Sequence, residues 1–176
     1  MSEPEVWLRG PIPDVPAMLQ PVAHGLLQCR LEVRATVPTL TATQLWTRVG
    51  EAATPGYHVR HAIGSLDRLF TYARGQQLSA EQLAALKTES QSDPSEGAQA
   101  ALVAQFDAAV ERALAQLRAT DPATLLEPRE VGRARLPSTV LGLLFHAAEH
   151  TQRHVGQLVT TAKVLRTAPR PVARDD

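Results

Sequence analysis

His146, His150 and His154 recur at every fourth position in the run FHAAEHTQRHVGQLV, a spacing that can do metal chemistry on a helix. At ~100° per residue a four-residue step drifts by only about 40°, so three such imidazoles stay within roughly a quarter of the helix circumference and can converge on one ion. His58 and His61 form a second cluster in GYHVRHAIG, so only His24 of the six histidines lies outside these two segments. Neutral imidazole suits zinc, nickel, iron and copper alike, and three such ligands leave a position open for water, a thiolate or a substrate oxygen. The alternative is that each histidine packs against a hydroxyl or carboxylate, since a buried imidazole without partners costs about 1–3 kcal/mol per unsatisfied group.

The elements that must position these side chains read as helices. Apolar residues from Asp14 to about Thr36 recur at three- and four-residue steps, which predicts a first helix. Leu45, Trp46 and Val49 suggest a short turn before Gly50. The second helix has Thr54 as its cap, Pro55 at its first position and Gly75 as its stop. Ser79 with Gln82 forms a capping-box pattern for a short peripheral helix. A third long helix runs from Gly97 to Thr120 and ends at Asp121-Pro122. A proline-bearing loop spans Pro122 to Pro137, and Ser138 is placed to cap a fourth long helix ending near Arg166. Four long helices with one short extra predict an all-α four-helix bundle over residues 14–166. Residues 1–13 read as an N-terminal extension and 167–176, TAPRPVARDD, as a flexible tail.

On the fourth helix Leu143, Ala147, His150, His154, Leu158, Thr161 and Leu165 share one stripe, which puts two histidines where a plain bundle has aliphatic residues. On the second, His58 borders the apolar stripe, whereas His61 shares a polar face with Ser65, Arg68 and Tyr72; periodicity does not choose between the two. His24 is isolated and reads as a packed or surface residue. Ser65, Asp67, Arg68, Glu149 and Gln157 are candidates to orient an imidazole or to receive a substrate carboxylate.

Charge narrows the partners. Acidic and basic residues balance at 18 each, so no basic field exists for nucleic acid. No run approaches the ~20 apolar residues of a membrane span, and the N-terminus lacks a charged and then apolar leader; a cytoplasmic protein with a small-molecule substrate is expected. A single cysteine, Cys29, excludes an internal disulfide or a thiolate metal site and reads as core.

The segments GYHVRHAIGSLDRLFTYARG and FHAAEHTQRHVGQLVTTAKVLR together resemble the DinB/YfiT-like superfamily of bacterial four-helix-bundle proteins. The most specific parts are the His61-Ala-Ile-Gly-Ser-Leu-Asp-Arg run and the His150-xxx-His154-x-Gly156-Gln157 run. The resemblance implies His61, His150 and His154 as ligands of a divalent metal, commonly zinc, nickel or iron. His58 and His146 are extra candidates that could shift or expand the site. Val155 stands where many relatives carry arginine. Relatives include metal-dependent S-transferases that use bacillithiol or mycothiol and a maleylpyruvate isomerase that uses mycothiol. The function so implied is thiol transfer to, or hydrolysis of, a small electrophile by a three-histidine metalloenzyme. A homodimer agrees with the resemblance and with Trp7 and Trp46 taken as exposed. The competing reading is a non-catalytic metal-binding or dimeric helical interaction module, whose metal would be closed off by a fourth protein ligand such as His58 or His146.

Overall fold

Among the described residues four long helices build a bundle, each bounded by residues suited to starting or stopping it. The computed structural model describes residues 3–167. The predicted tail, apart from Thr167, lies outside the described residues. The long helices are α1 (Gln20–Thr36), α3 (Pro55–Ala73), α5 (Ala98–Ala119) and α6 (Val140–Thr167), with a single turn α2 (Ala42–Leu45) and a short α4 (Ala80–Thr88) between them. Around the bundle α1 packs on α5 and α6, and α3 packs on the same two, so the most extensive seam is α3 against α6. The core is filled from all four: Leu26 and Val33, Leu66 and Phe70, Phe106 and Val110, Leu144 and Leu158. Each such side chain contributes about 1.5–3 kcal/mol on burial.

Three expectations are corrected. The first helix begins at Gln20 rather than Asp14, because Pro16 is extended and Asp14 has a φ of 63°. The chain reaches α1 through a 3₁₀ turn at Ala17–Leu19, and Pro21 occupies the first helical turn, where its missing N–H is harmless. The 122–137 segment is not all loop. It holds an antiparallel hairpin of β1 (Pro128–Val131) and β2 (Leu136–Thr139), in register Arg129 to Ser138, that turns through Gly132 and Arg135, both at positive φ. Ser138 therefore belongs to β2, and Thr139 does the capping: its Oγ1 accepts from the Gly142 N–H at 3.0 Å.

The N-terminal residues lie along α1. Val6 is buried and its N–H donates to Gln28 Oε1, while the Gln20 side chain bonds both the N–H and the carbonyl of Ile12. Among the described residues no helix is long and apolar enough to cross a membrane.

Candidate metal centre

The histidines meet on the α3–α6 seam. Thr54 Oγ1 accepts from the Tyr57 N–H at 3.1 Å, which starts α3 immediately before His58 and His61. Because α6 runs unbroken from Val140, His146, His150 and His154 fall on successive turns of it. The buried stripe of α6 runs through Leu144, Ala147, Ala148, Thr151, Val155, Leu158 and Ala162. His150 and His154 are therefore half-buried at its border rather than in the core, where the wheel put them. Val155 is packed into the core.

One ring nitrogen from each of His61, His150 and His154 lies within 4.8 Å of the other two. His61 Nε2 and His150 Nε2 are 3.0 Å apart, and the His154 ring centroid is 4.5 Å from that of His61 and 4.6 Å from that of His150. Two nitrogens at 2.0–2.1 Å from one tetrahedral ion stand roughly 3.3 Å apart, so this spacing fits a shared cation. Burial, followed by the neighbouring imidazoles, lowers the pKa of His150 and pushes that of His154 down to about 4. Burial first and His61 second lower His58 as well. His150 and His154 are thus neutral at pH 7 and offer lone pairs, the form in which imidazole binds a metal. The Nδ1 of His150, the ring nitrogen turned away from His61, is buried and, among the described residues, meets no partner, at a cost of about 1–3 kcal/mol.

The other expected residues divide. His58 is buried behind His154, their Nδ1 atoms 3.1 Å apart, and is outside the three-nitrogen group. His146 is exposed and faces Glu149 Oε2 at 3.2 Å. Glu149 also takes Arg153, so it serves the surface of α6. Ser65 and Arg68 do reach the cluster: Ser65 Oγ is 3.2 Å from His61 Nε2, and Arg68 Nη2 donates to Ser65 Oγ at 3.2 Å. Gln157 lines a cleft beside His154, and Asp67 instead accepts from Gln82. His24 bonds the Gly10 carbonyl, away from the cluster. Trp46, expected to be exposed, is half-buried between Gly56 and the Arg60 guanidinium; Trp7 is 61% exposed.

Sequence reasoning missed Glu89. It follows α4, is 6% exposed, and places Oε2 2.7 Å from His61 Nδ1 and Oε1 2.6 Å from Arg68 Nη1. Burial pushes its carboxyl pKa up, but the bonds from His61 and Arg68 outweigh burial and hold it below the ordinary value. The polar face of α3 is therefore covered by this segment rather than solvated. A helix-interior glycine at position 64 was the one sequence signal of a close approach there.

Beside His154 opens a cleft of about 710 Å³, walled by Ala52, Ala53, Tyr57, His58, Arg153 and Gln157. Tyr57 stacks on His61 with centroids 5.3 Å apart and planes 13° from parallel. A cavity of about 120 Å³ between α3 and α5, lined by Leu66, Phe70, Arg112 and Gln116, contains none of the histidines.

A sequence model described as the DinB superfamily matches residues 26–158, a span that includes every residue of the cluster. No curated protein matches the chain. The chain belongs to the DinB superfamily.

Proposed function

We propose that this member of the DinB superfamily is a divalent-metal-dependent enzyme that transfers a small thiol to, or hydrolyses, a small electrophile bound in the cleft beside His154. The observation that carries the proposal is the convergence of three imidazole nitrogens, from His61, His150 and His154, of which His154 also lines that open cleft. Among the described residues no fourth histidine, cysteine or carboxylate joins the group, which supports an open coordination position over a closed structural site. A cation held there supplies Lewis acidity, which favours the thiolate of a small thiol or the hydroxide of water near neutral pH.

The chain's own residues supply the rest. His61, His150 and His154 would hold the ion; imidazole donors suit zinc, nickel, iron and copper alike, and the family resemblance favours zinc, nickel or iron among them. Tyr57 covers one face of His61. On the cleft wall Gln157 would offer its amide to a substrate or to a thiol such as bacillithiol or mycothiol, and Arg153, which pairs with Glu149, adds positive charge beside it. Cys29 is buried and cannot serve as a nucleophile from the protein side.

Elemental analysis of protein prepared without chelator or affinity-tag metal, beside His150→Ala and His154→Ala, tests the reading. About one equivalent of a divalent metal, lost in both variants, is expected, and thiol transfer and hydrolysis are then screened with that metal. No binding after reconstitution with zinc, nickel, iron and manganese would overturn it.

A further inference from the structure

We infer that Glu89 is the positioning residue of this centre: carried in by α4, its carboxylate fixes the tautomer of His61 so that Nε2 faces His150 and His154 as a lone pair. Its purpose rests on the metal-binding reading above, whereas the tautomer is a property of the metal-free protein. An ionised carboxylate only accepts hydrogen bonds, so at 2.7 Å the proton belongs to His61 Nδ1. In a neutral ring Nε2 is then the acceptor, and Nε2 is the atom 3.0 Å from His150 Nε2. A carboxylate behind a metal-bound imidazole orients the ring and raises its basicity as a ligand.

Two local choices that are otherwise unfavourable follow from this one requirement. Glu89 caps the C-terminal end of α4, where the helix dipole disfavours an anion. Gly64 sits inside α3, where glycine is a poor helix former. A Cβ at position 64 would fall on Glu89 Oε1 and lie 2.6 Å from Arg68 Nη1, so glycine is what admits the carboxylate. Conflicts between local preference and fold concentrate at functional positions.

α4 itself contributes no buried residue to the core, and its attachments are polar and directed. At its start Gln82 Nε2 donates to Asp67 Oδ2 at 2.6 Å and to Thr71 Oγ1 at 2.9 Å. Past its end Arg60 donates to the Gln91 carbonyl, and Trp46 Nε1 donates to the Asp93 carbonyl at 2.6 Å. The arm is pinned on both sides of the one carboxylate it buries.

The test compares wild type, Glu89→Gln, Glu89→Ala and Gly64→Ala, each checked for native circular dichroism. The readouts are the His61 ring ¹⁵N shifts in metal-free protein and the zinc affinity by competition with a chromophoric chelator. Wild type should show the Nδ1–H form alone. Glu89→Ala should show mixed tautomers and bind zinc about 10–100-fold more weakly, with Glu89→Gln between the two. Gly64→Ala, which keeps the glutamate but displaces it, should behave like Glu89→Ala. A folded Glu89→Ala with His61 still wholly in the Nδ1–H form, or with wild-type zinc affinity, overturns the inference. Should Glu89→Ala not fold, the same result in Gly64→Ala does so. A wild type that binds no zinc, yet whose tautomer shifts in Glu89→Ala, sustains the tautomer assignment and overturns the metal reading instead.

Discussion

Alanine at Gly56 should destabilise the protein by about 0.5–2 kcal/mol, although alanine is the better helix former. A methyl group there would lie 2.5–2.8 Å from three carbons of the Trp46 indole, well inside the ~3.5–4.0 Å at which carbons pack. Gly56 is buried in the first turn of α3, so the indole must yield. If it swings away, it loses the bond to the Asp93 carbonyl, about 0.5–1.5 kcal/mol. It also loses the Arg60 guanidinium 4.5 Å above its ring, about 0.5–1 kcal/mol. If it stays, overpacking costs about 1–3 kcal/mol. Gain in helix propensity returns at most about 1 kcal/mol, and less in a first turn. Urea unfolding followed by far-ultraviolet circular dichroism should show a midpoint lowered by a few tenths of a molar to about 1 M with an unchanged slope. In a Trp46→Ala background the same substitution should be neutral or stabilising. Equal loss in both backgrounds, or none in either, would refute the argument.

Metal-free protein should lose stability as the pH falls from about 6.5 toward about 4. His154 titrates near 4 when folded and at its ordinary 6.5 when unfolded, so in that window the unfolded chain binds the extra proton, and His58 and His150 act in the same direction. The held-down Glu89 carboxyl adds its loss only at lower pH, so melting temperatures between pH 7 and pH 5 isolate the imidazoles, and His154→Gln should flatten the slope; a flat wild-type profile would contradict this. Cys29 is 1% exposed, and burial, with Glu32 adding, pushes its thiol up to about 12. A thiol reagent at pH 8 should therefore label it only at the rate of unfolding, and labelling of the native protein at a free-thiol rate would show the burial to be wrong.

What the sequence made legible was local. Thr54-Pro55, Ser79 with Gln82, and Asp121-Pro122 each act within one helical turn, and each bounds its helix as expected. His150 and His154 declare themselves by spacing on one helix. His61 over His58 was not a matter of spacing, because both lie near the seam; what separates them is that His58 turns its Nδ1 to His154 while His61 turns its Nε2 to His150. Glu89 was hidden because its partner is 28 residues away on another helix and α4 has no buried face to advertise. The hairpin was missed because its four-residue strands carry prolines at positions 128 and 137 and lack an apolar alternation. The late start of α1 is a contest in which Pro16 outweighs the periodicity of Val15 and Leu19, both of which stay buried without being helical in the α sense.

The separation of 89 residues between His61 and His150 also sets a clock. At about 5–20 residues per second of synthesis, the second of these nitrogens follows the first by roughly 4–18 s. Until α6 has been made and has docked on α3, a nascent chain offers only scattered imidazoles to any ion it meets. The cluster is therefore a late product of biogenesis, and occupancy by a cation would mark a chain whose last helix has already closed the bundle.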